Sequence, residues 1–404
     1  RSVLSALINI TQPDSLYESL DAKGRYDNTL IALSALLRAE SLQRPLVLFL
    51  EDTHWMDKDT GNFLSYFMRT LLAESEKQYP IAIITTQRPE GNENWELDGT
   101  YAHHIKLEKL PAASIAHLAK NIVDHPISAS LLELLNSRTD GNPFFAEQVL
   151  RYLTEHNALS LNEEGEYIAN QAENISLPTD VRAVLVARLD RLTKQVKEAV
   201  QTASVLGREF EIRVLGLMLK NDKRLLSHVA QAESANIWTP LSEIEFIFRH
   251  ALLRDAAYSM HLVARQRELH GLAVSAMEKI YHEDLEPHYG ELAYHAEKAA
   301  LNEKALHYLN LAADSASQAY QNAQVIDYLT RAHNLLPQNS QHERFEVLYK
   351  RSIAYSIIGN RSSEDMDLTA LEETASALRD NTKLARVLMR RTYYFATQGE
   401  NFMA

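Results

Sequence analysis

Between Pro45 and Asp57 the chain reads PLVLFLEDTHWMD, an unbroken apolar run, Leu46–Leu50, that stops abruptly at two carboxylates, Glu51 and Asp52. No other stretch limits the fold as tightly. An apolar run without alternation suits a strand covered on both faces of a parallel sheet. A second run at residues 81–84 ends in Thr85, Thr86, Gln87 and Arg88. Between the two runs, Phe63, Phe67 and Leu71 recur at helical spacing, with Asp59 expected to cap that helix. The three pieces form a β-α-β unit of ordinary length. Upstream, residues 26–42 carry Leu30, Leu33, Leu36 and Leu37 at helical spacing, and Pro45 ends the pattern. Ile105 and Leu107 are expected to belong to a further strand. Alternating strands and helices predict a parallel α/β sheet.

The rest of the chain reads differently. Residues 111–172 read as helices, and Asn142-Pro143 marks a sharp helix start, because Asn caps and Pro is preorganised at the first helical position. Residues 176–261 hold helices and then two short alternating runs, 236–241 and 244–248, with a turn around Glu243. Helices followed by a small hairpin predict a winged helix. From residue 265 onward the pattern is helical, with Ala305, Tyr308 and Ala312 echoed by Ala323, Tyr328 and Ala332. Tyr308-Leu309 and Tyr328-Leu329 lie 20 residues apart, and Pro337 ends one helix. Stacked helix pairs of the tetratricopeptide kind fit this period. The alanines and tyrosines are expected to be core packing. The expected fold class is multidomain and mostly α: a partial α/β P-loop NTPase core at 1–110, a helical lid at 111–175, a winged helix at 176–264 and α-solenoid repeats at 265–404.

Composition narrows the function. With 12 glycines in 404 residues the chain is poor in the residue that helices tolerate least. Zero cysteines exclude disulfides, thiolate metal sites and cysteine catalysis, and fit the cytoplasm. A net charge of −13 weighs against direct nucleic-acid binding, which needs clustered Lys and Arg. No apolar run approaches the ~20 residues of a membrane span. The chain begins at Arg1, and its repeats stop at Ala404 with no polar capping helix, so it is expected to be a piece of a longer protein.

Ligands of open α/β sheets bind at the carboxyl ends of the strands, where Glu51 and Asp52 sit. Such a pair suits ATP hydrolysis: one carboxylate holds Mg2+ through water, and the other orients or deprotonates the attacking water. Arg88, at the end of the neighbouring strand, can neutralise a γ-phosphate. The plainer readings are two solvated acids and a surface arginine. No His-x-x-x-His metal spacing stands out among the 16 histidines.

Residues 50–57 (LEDTHWMD) resemble the Walker B segment of the signal-transduction (STAND) branch of the AAA+ ATPases, which in bacteria often sit beside cyclase, kinase or DNA-binding domains. Thr86-Gln87-Arg88-Pro89-Glu90 resembles that family's sensor-1 strand end, and Thr139-Asp140-Gly141-Asn142-Pro143-Phe144-Phe145 resembles its GNP segment. Leu177-Pro178, Arg188-Leu189-Asp190-Arg191-Leu192, Leu206-Gly207-Arg208-Glu209-Phe210 and Phe248-Arg249-His250-Ala251-Leu252 with Tyr258 resemble its winged-helix region. The resemblance implies ATP or ADP with Mg2+ as cofactors. Glu51 would act in the Mg2+ shell and Asp52 as the water-orienting acid, or the reverse. Arg88 would meet the γ-phosphate, Pro143 the adenine, and Asn142 would open the lid helix over the nucleotide. His250 would hold an inactive, ADP-bound form, against the plainer reading of a hydrogen-bonded structural histidine. His54 and Trp55 are expected to pack beneath the site.

The sequence departs from the family in one respect: it contains no G-x-x-x-x-G-K-[ST], and no glycine is followed directly by lysine. The phosphate-cradling loop and its lysine are missing from this sequence. This chain alone is therefore expected to bind ATP weakly and hydrolyse none. Three readings follow: a nucleotide-gated switch whose repeats sense a protein partner or small inducer, with room for nucleotide-driven self-assembly; a non-catalytic scaffold with a relic ATPase fold; or a transcriptional regulator whose DNA-binding domain lies outside this chain.

Overall fold

The structure is a computed structural model and describes residues 1–8, 10, 13–73, 79–88, 103–170, 180–220 and 222–397. Pro89, Glu90, Leu177 and Pro178, all motif residues, lie outside the described residues. The chain divides into two compact units, one of Arg1–Asp98, Asp284–Tyr294 and Asn302–Ala404, the other of Gly99–Glu283 and His295–Leu301.

The first unit begins with two short helices, α1 (Ser2–Ala6) and α2 (Leu16–Ser19), and the long α3 (Ala22–Gln43). Asp21 caps α3 by accepting the Gly24 N–H at 2.8 Å. Strands β1 (Leu46–Leu50) and β2 (Ile81–Thr85) run parallel, from Leu46 opposite Ile81 to Leu50 opposite Thr85, with α4 (Lys58–Ala73) between them in sequence. Helix α4 buries Leu64 and Phe67, the latter stacked on Phe63. Its cap is Asp57 rather than Asp59. The Asp57 carboxylate accepts the N–H groups of Asp59 (3.0 Å) and Thr60 (2.9 Å) and the Thr60 hydroxyl (2.6 Å). Asp59 already lies inside the first turn, so its carboxylate takes the Tyr26 hydroxyl instead, at 3.3 Å.

Cover on both faces of β1 is not what the structure shows. Helix α3 packs against β1 and half-buries Leu46, Leu48 and Leu50, whereas Val47 and Phe49 are 59% and 60% exposed. Strand side chains alternate between faces, and the described residues cover one of them. The expected strand at Ile105 and Leu107 is likewise absent. Both residues are more than four-fifths exposed and have no β-partner among the described residues.

The second unit opens with α5 (Ala112–Val123), α6 (Ala129–Thr139) and α7 (Pro143–Glu155), which share a core around Ile115, Leu131, Leu135, Val149 and Leu150. An antiparallel hairpin, β3 (Leu159–Leu161) with β4 (Tyr167–Ala169), interrupts the helical reading of this region. Then come α8 (Val181–Asp190), α9 (Lys194–Leu206), β5 (Glu209–Glu211), α10 (Ile212–Met218), α11 (Leu225–Ser234), β6 (Trp238–Pro240), β7 (Glu245–Phe248), α12 (Ala251–Ser259) and α13 (Val263–Ile280). From α9 to β7 the order is that of a winged helix. The expected hairpin is β6 with β7, and β5 joins it to give the sheet order β5-β7-β6. Phe210 of β5, Trp238 of β6 and both Phe246 and Phe248 of β7 enter the core, and the Trp238 indole N–H is satisfied by the Val229 carbonyl at 3.0 Å.

Helix α14 (Tyr289–Lys298) gives residues to both units. The repeats follow in the first unit as α15 (Asn302–Gln318), α16 (Asn322–Leu335), α17 (Gln341–Ile357), α18 (Arg361–Leu378) and α19 (Asn381–Thr397), each packed on the next. Pro337 stands just beyond α16, as its missing N–H requires. Ala305, Tyr308, Ala312 and Ala332 are buried as expected, but Tyr328 is half-buried and faces a cleft. Among the described residues no helix is long and apolar enough to cross a membrane.

Candidate functional site

The carboxyl ends of β1 and β2 are fastened to each other. Thr86 N–H donates to the Leu50 carbonyl at 3.0 Å, and Thr53 N–H donates to the Thr86 carbonyl at 2.8 Å. Asp52 N–H donates to the Thr86 hydroxyl oxygen at 3.0 Å, and the Thr53 hydroxyl donates to the Thr86 carbonyl at 3.1 Å. Asp52 itself turns the chain with φ 56° and ψ 45°, the left-handed conformation that Asp adopts more readily than most residues. The turn leads into a short 3-10 segment, Thr53–Trp55. Glu51, Asp52, Thr86 and Arg88 are thereby gathered at one end of the sheet. Thr86, in the sequence only a member of a motif, joins the two strand ends through its N–H, its carbonyl and its hydroxyl.

Arg88 is exposed, and its guanidinium carbon lies 5.9 Å from the centre of the Trp55 ring. Trp55 is 63% exposed, so it does not pack beneath the site; it forms the surface on which Arg88 rests. His54 does turn inward. Its side chain is nine-tenths buried, its ring lies 4.7 Å from that of Trp55, and its Nδ1 is 4.0 Å from a carboxylate oxygen of Asp52.

In the second unit the Asn142-Pro143 signal is realised as read. Asn142 caps α7 by accepting the Phe145 N–H at 3.0 Å, and Pro143 is the first helical residue; both are exposed. Gly141 has φ +73°, and a Cβ there would meet the Leu110 carbonyl oxygen at 2.6 Å, so only glycine fits this junction. The next residue, Phe144, sets its ring edge-on to His250 with centroids 4.8 Å apart. The GNP segment and His250 are therefore neighbours within this unit. Burial pushes the His250 imidazole below its ordinary range; Arg249, Arg188 and Arg208 push the same way, and Glu147 opposes them. His250 is a neutral ring in a field of three arginines. Arg188 is held there by Gln148 (3.2 Å) and the Ala235 carbonyl (2.6 Å). Arg188 and Arg208 each sit in a motif beside other charged residues, Asp190 and Arg191 or Glu209, so nothing in the local sequence marks them as neighbours of His250.

Glu51, Asp52, Thr86 and Arg88 lie in one unit, and Asn142, Pro143 and His250 lie in the other. The donor chemistry of the first fits Mg2+ only in company with a phosphate. No group of three or more His, Asp or Glu among the described residues could hold a metal alone, and Mg2+ is ordinarily shared between one or two carboxylates, water and substrate phosphates. The second has the charge and exposed helix start that suit a phosphate.

No protein-family model matches the chain. It is similar to an uncharacterized protein of Rhizobium meliloti (strain 1021), 23% identical over 352 residues, covering 83% of this chain and 32% of that protein. The chain thus spans about a third of the length of that relative. Among solved structures it is similar to a signal transduction ATPase with numerous domains and a tetratricopeptide repeat sensor from Pyrococcus horikoshii, with a TM-score of 0.47 and 12% identity, covering 91% of this chain and 55% of that one.

Proposed function

We propose that this chain is the acid-bearing and sensing part of an ATP-dependent signalling switch of the STAND kind. The observation that carries the reading is the fastened pair of parallel strand ends, which places Glu51, Asp52 and Arg88 on one rim with Thr86 joining them. ATP would supply a labile phosphoryl group, and Mg2+ would neutralise it. The chain's own residues have separate tasks. Glu51 and Asp52 hold the ion's water shell and orient a water molecule, and Arg88 meets the transferred charge. Asn142 and Pro143 open a helix whose positive end would suit an anion, and His250 with its arginines would favour a bound diphosphate. Binding ADP or ATP would shift the packing of these elements by its differential affinity for two states. The helical repeats would sense a protein partner or inducer.

The experiment is a titration of the purified chain with fluorescent ADP in Mg2+. Without a glycine-lysine phosphate loop the expected dissociation constant is about 1 mM, roughly 4 kcal/mol of binding, weakened further by His250→Leu. Absence of saturable binding, or binding indifferent to His250→Leu, would overturn the assignment of His250.

A further inference from the structure

The first unit contains a cleft of about 1330 Å3 that no motif announces. It is lined by Tyr26, by residues between Thr53 and Ser65, by Gly290 and Tyr320, and by helix α16 and the end of α17. Small-molecule pockets usually enclose roughly 300–1000 Å3, so this cleft takes something longer. Its lining is aromatic and acidic. Tyr26 and Tyr320 bring their rings to 5.8 Å, and Tyr328 and Tyr355 add further faces. Asp59 lines the same cleft and accepts the Tyr26 hydroxyl at 3.3 Å.

The charges divide unequally. Asp57 is engaged in capping α4, and Arg331 is paired with Asp327 at 2.9 Å. Lys58 is exposed at the rim. Asp59 has one carboxylate oxygen on the Tyr26 hydroxyl, while the other is buried without a hydrogen-bond partner among the described residues. Burial, with Asp57 nearby, raises its carboxyl above the ordinary range. His54 is a second, independent sign. It lines the cleft nine-tenths buried, and both ring nitrogens lack a hydrogen-bond partner among the described residues. A carboxylate and an imidazole both accept hydrogen bonds. A cation with several N–H donors would satisfy the carboxylate and the unprotonated nitrogen of a neutral imidazole, among tyrosine faces. Arg331 already shows the fit: its guanidinium carbon lies 5.6 Å from the Tyr328 ring centre.

We propose that this cleft binds an alkylammonium or guanidinium group, with Asp59 and His54 accepting its hydrogen bonds and Tyr26, Tyr320 and Tyr328 packing around it. It rests on the reading of the repeats as the sensing part and gives that part a ligand chemistry. His54 is two residues from Asp52, so a cation seated here touches the same turn that presents the acid pair.

The test is fluorescence anisotropy of the full chain, without nucleotide, using a short fluorescein-labelled arginine peptide, and unlabelled spermidine as competitor. Saturable binding weakened about tenfold or more by Asp59→Asn supports the proposal. Gly290→Ala is a second variant that keeps every charge. The Tyr328 hydroxyl lies 2.6 Å from where that Cβ would stand, so the ring must move and binding must weaken. Displacement by spermidine at equal affinity identifies a free polyamine as sufficient; failure of spermidine to compete identifies a basic peptide. Equal binding of a glutamate peptide, no saturable binding of either cation, or binding unchanged in both variants overturns it. The titration holds no nucleotide, so its failure leaves the nucleotide reading standing.

Discussion

Individual side chains decide what each strand end can do. Asp52 combines a carboxylate at the strand end, one oxygen 4.0 Å from the His54 Nδ1, with a backbone that makes a left-handed turn and donates to Thr86. Asn tolerates that turn and Ala resists it by roughly 1–2 kcal/mol, so Asp52→Asn is the cleaner probe of the carboxylate. His270 carries the firmest pH prediction. It is fully buried, with Tyr258 on its Nε2 at 3.1 Å and His295 on its Nδ1 at 2.8 Å. Burial first, then His295, Lys298 and Arg254, push its imidazole down to about 3 from 6.5. A histidine depressed in the fold gains its proton on unfolding. The unfolded chain therefore binds more protons between those values. The stability is present above the ordinary histidine range and falls as pH drops through it, by up to about 1.4 kcal/mol per pH unit. Denaturant melts of wild type and His270→Gln between pH of about 7 and 5 check this: the wild type should lose stability more steeply, and parallel slopes would refute it.

Elements show which signals reach across short distances. The Asn142-Pro143 start is legible in the sequence because cap and ring act within three residues. The acid-ended strand is legible because five consecutive apolar residues meet two carboxylates with nothing between. Asp57 as the α4 cap was hidden by Asp59, two residues on, and only the register of the first turn separates them. Strands of three residues, such as β3, β4 and β5, carry too few alternations to announce themselves. Arg188 and Arg208, which join the adjacent Arg249 around His250, and the tyrosines of the cleft come from distant segments, and no local pattern brings them together. The repeats also hide an ion network. Glu364 is fully buried on α18 and accepts from Arg361 on the same helix at 2.7 Å and Arg390 of α19 at 2.9 Å. Removing one charge from such a set leaves its partners uncompensated. Glu364→Gln should lower the stability of the repeats by about 3–5 kcal/mol, read as an earlier thermal or urea transition; a variant within about 1 kcal/mol of wild type would show that the arginines find water instead.

At the scale of the whole chain, the parts have different legibility. The mostly helical, multidomain character follows from few glycines and long 3.6-residue periodicity. That one face of β1 and β2 stays exposed could not be read from the apolar run, because apolarity records what a strand can bury and not what lies beside it. The nucleotide reading names two groups of residues, each within its own unit: the strand ends with Glu51 and Asp52, and the α7 start with His250. Hydrogen exchange of the full chain with and without millimolar Mg-ATP tests it most directly. The account predicts slower exchange at residues 50–54 and 84–88 and at the start of α7, with no ATP turnover. Protection confined to other segments, or ATP hydrolysis that disappears in Asp52→Asn, would contradict it.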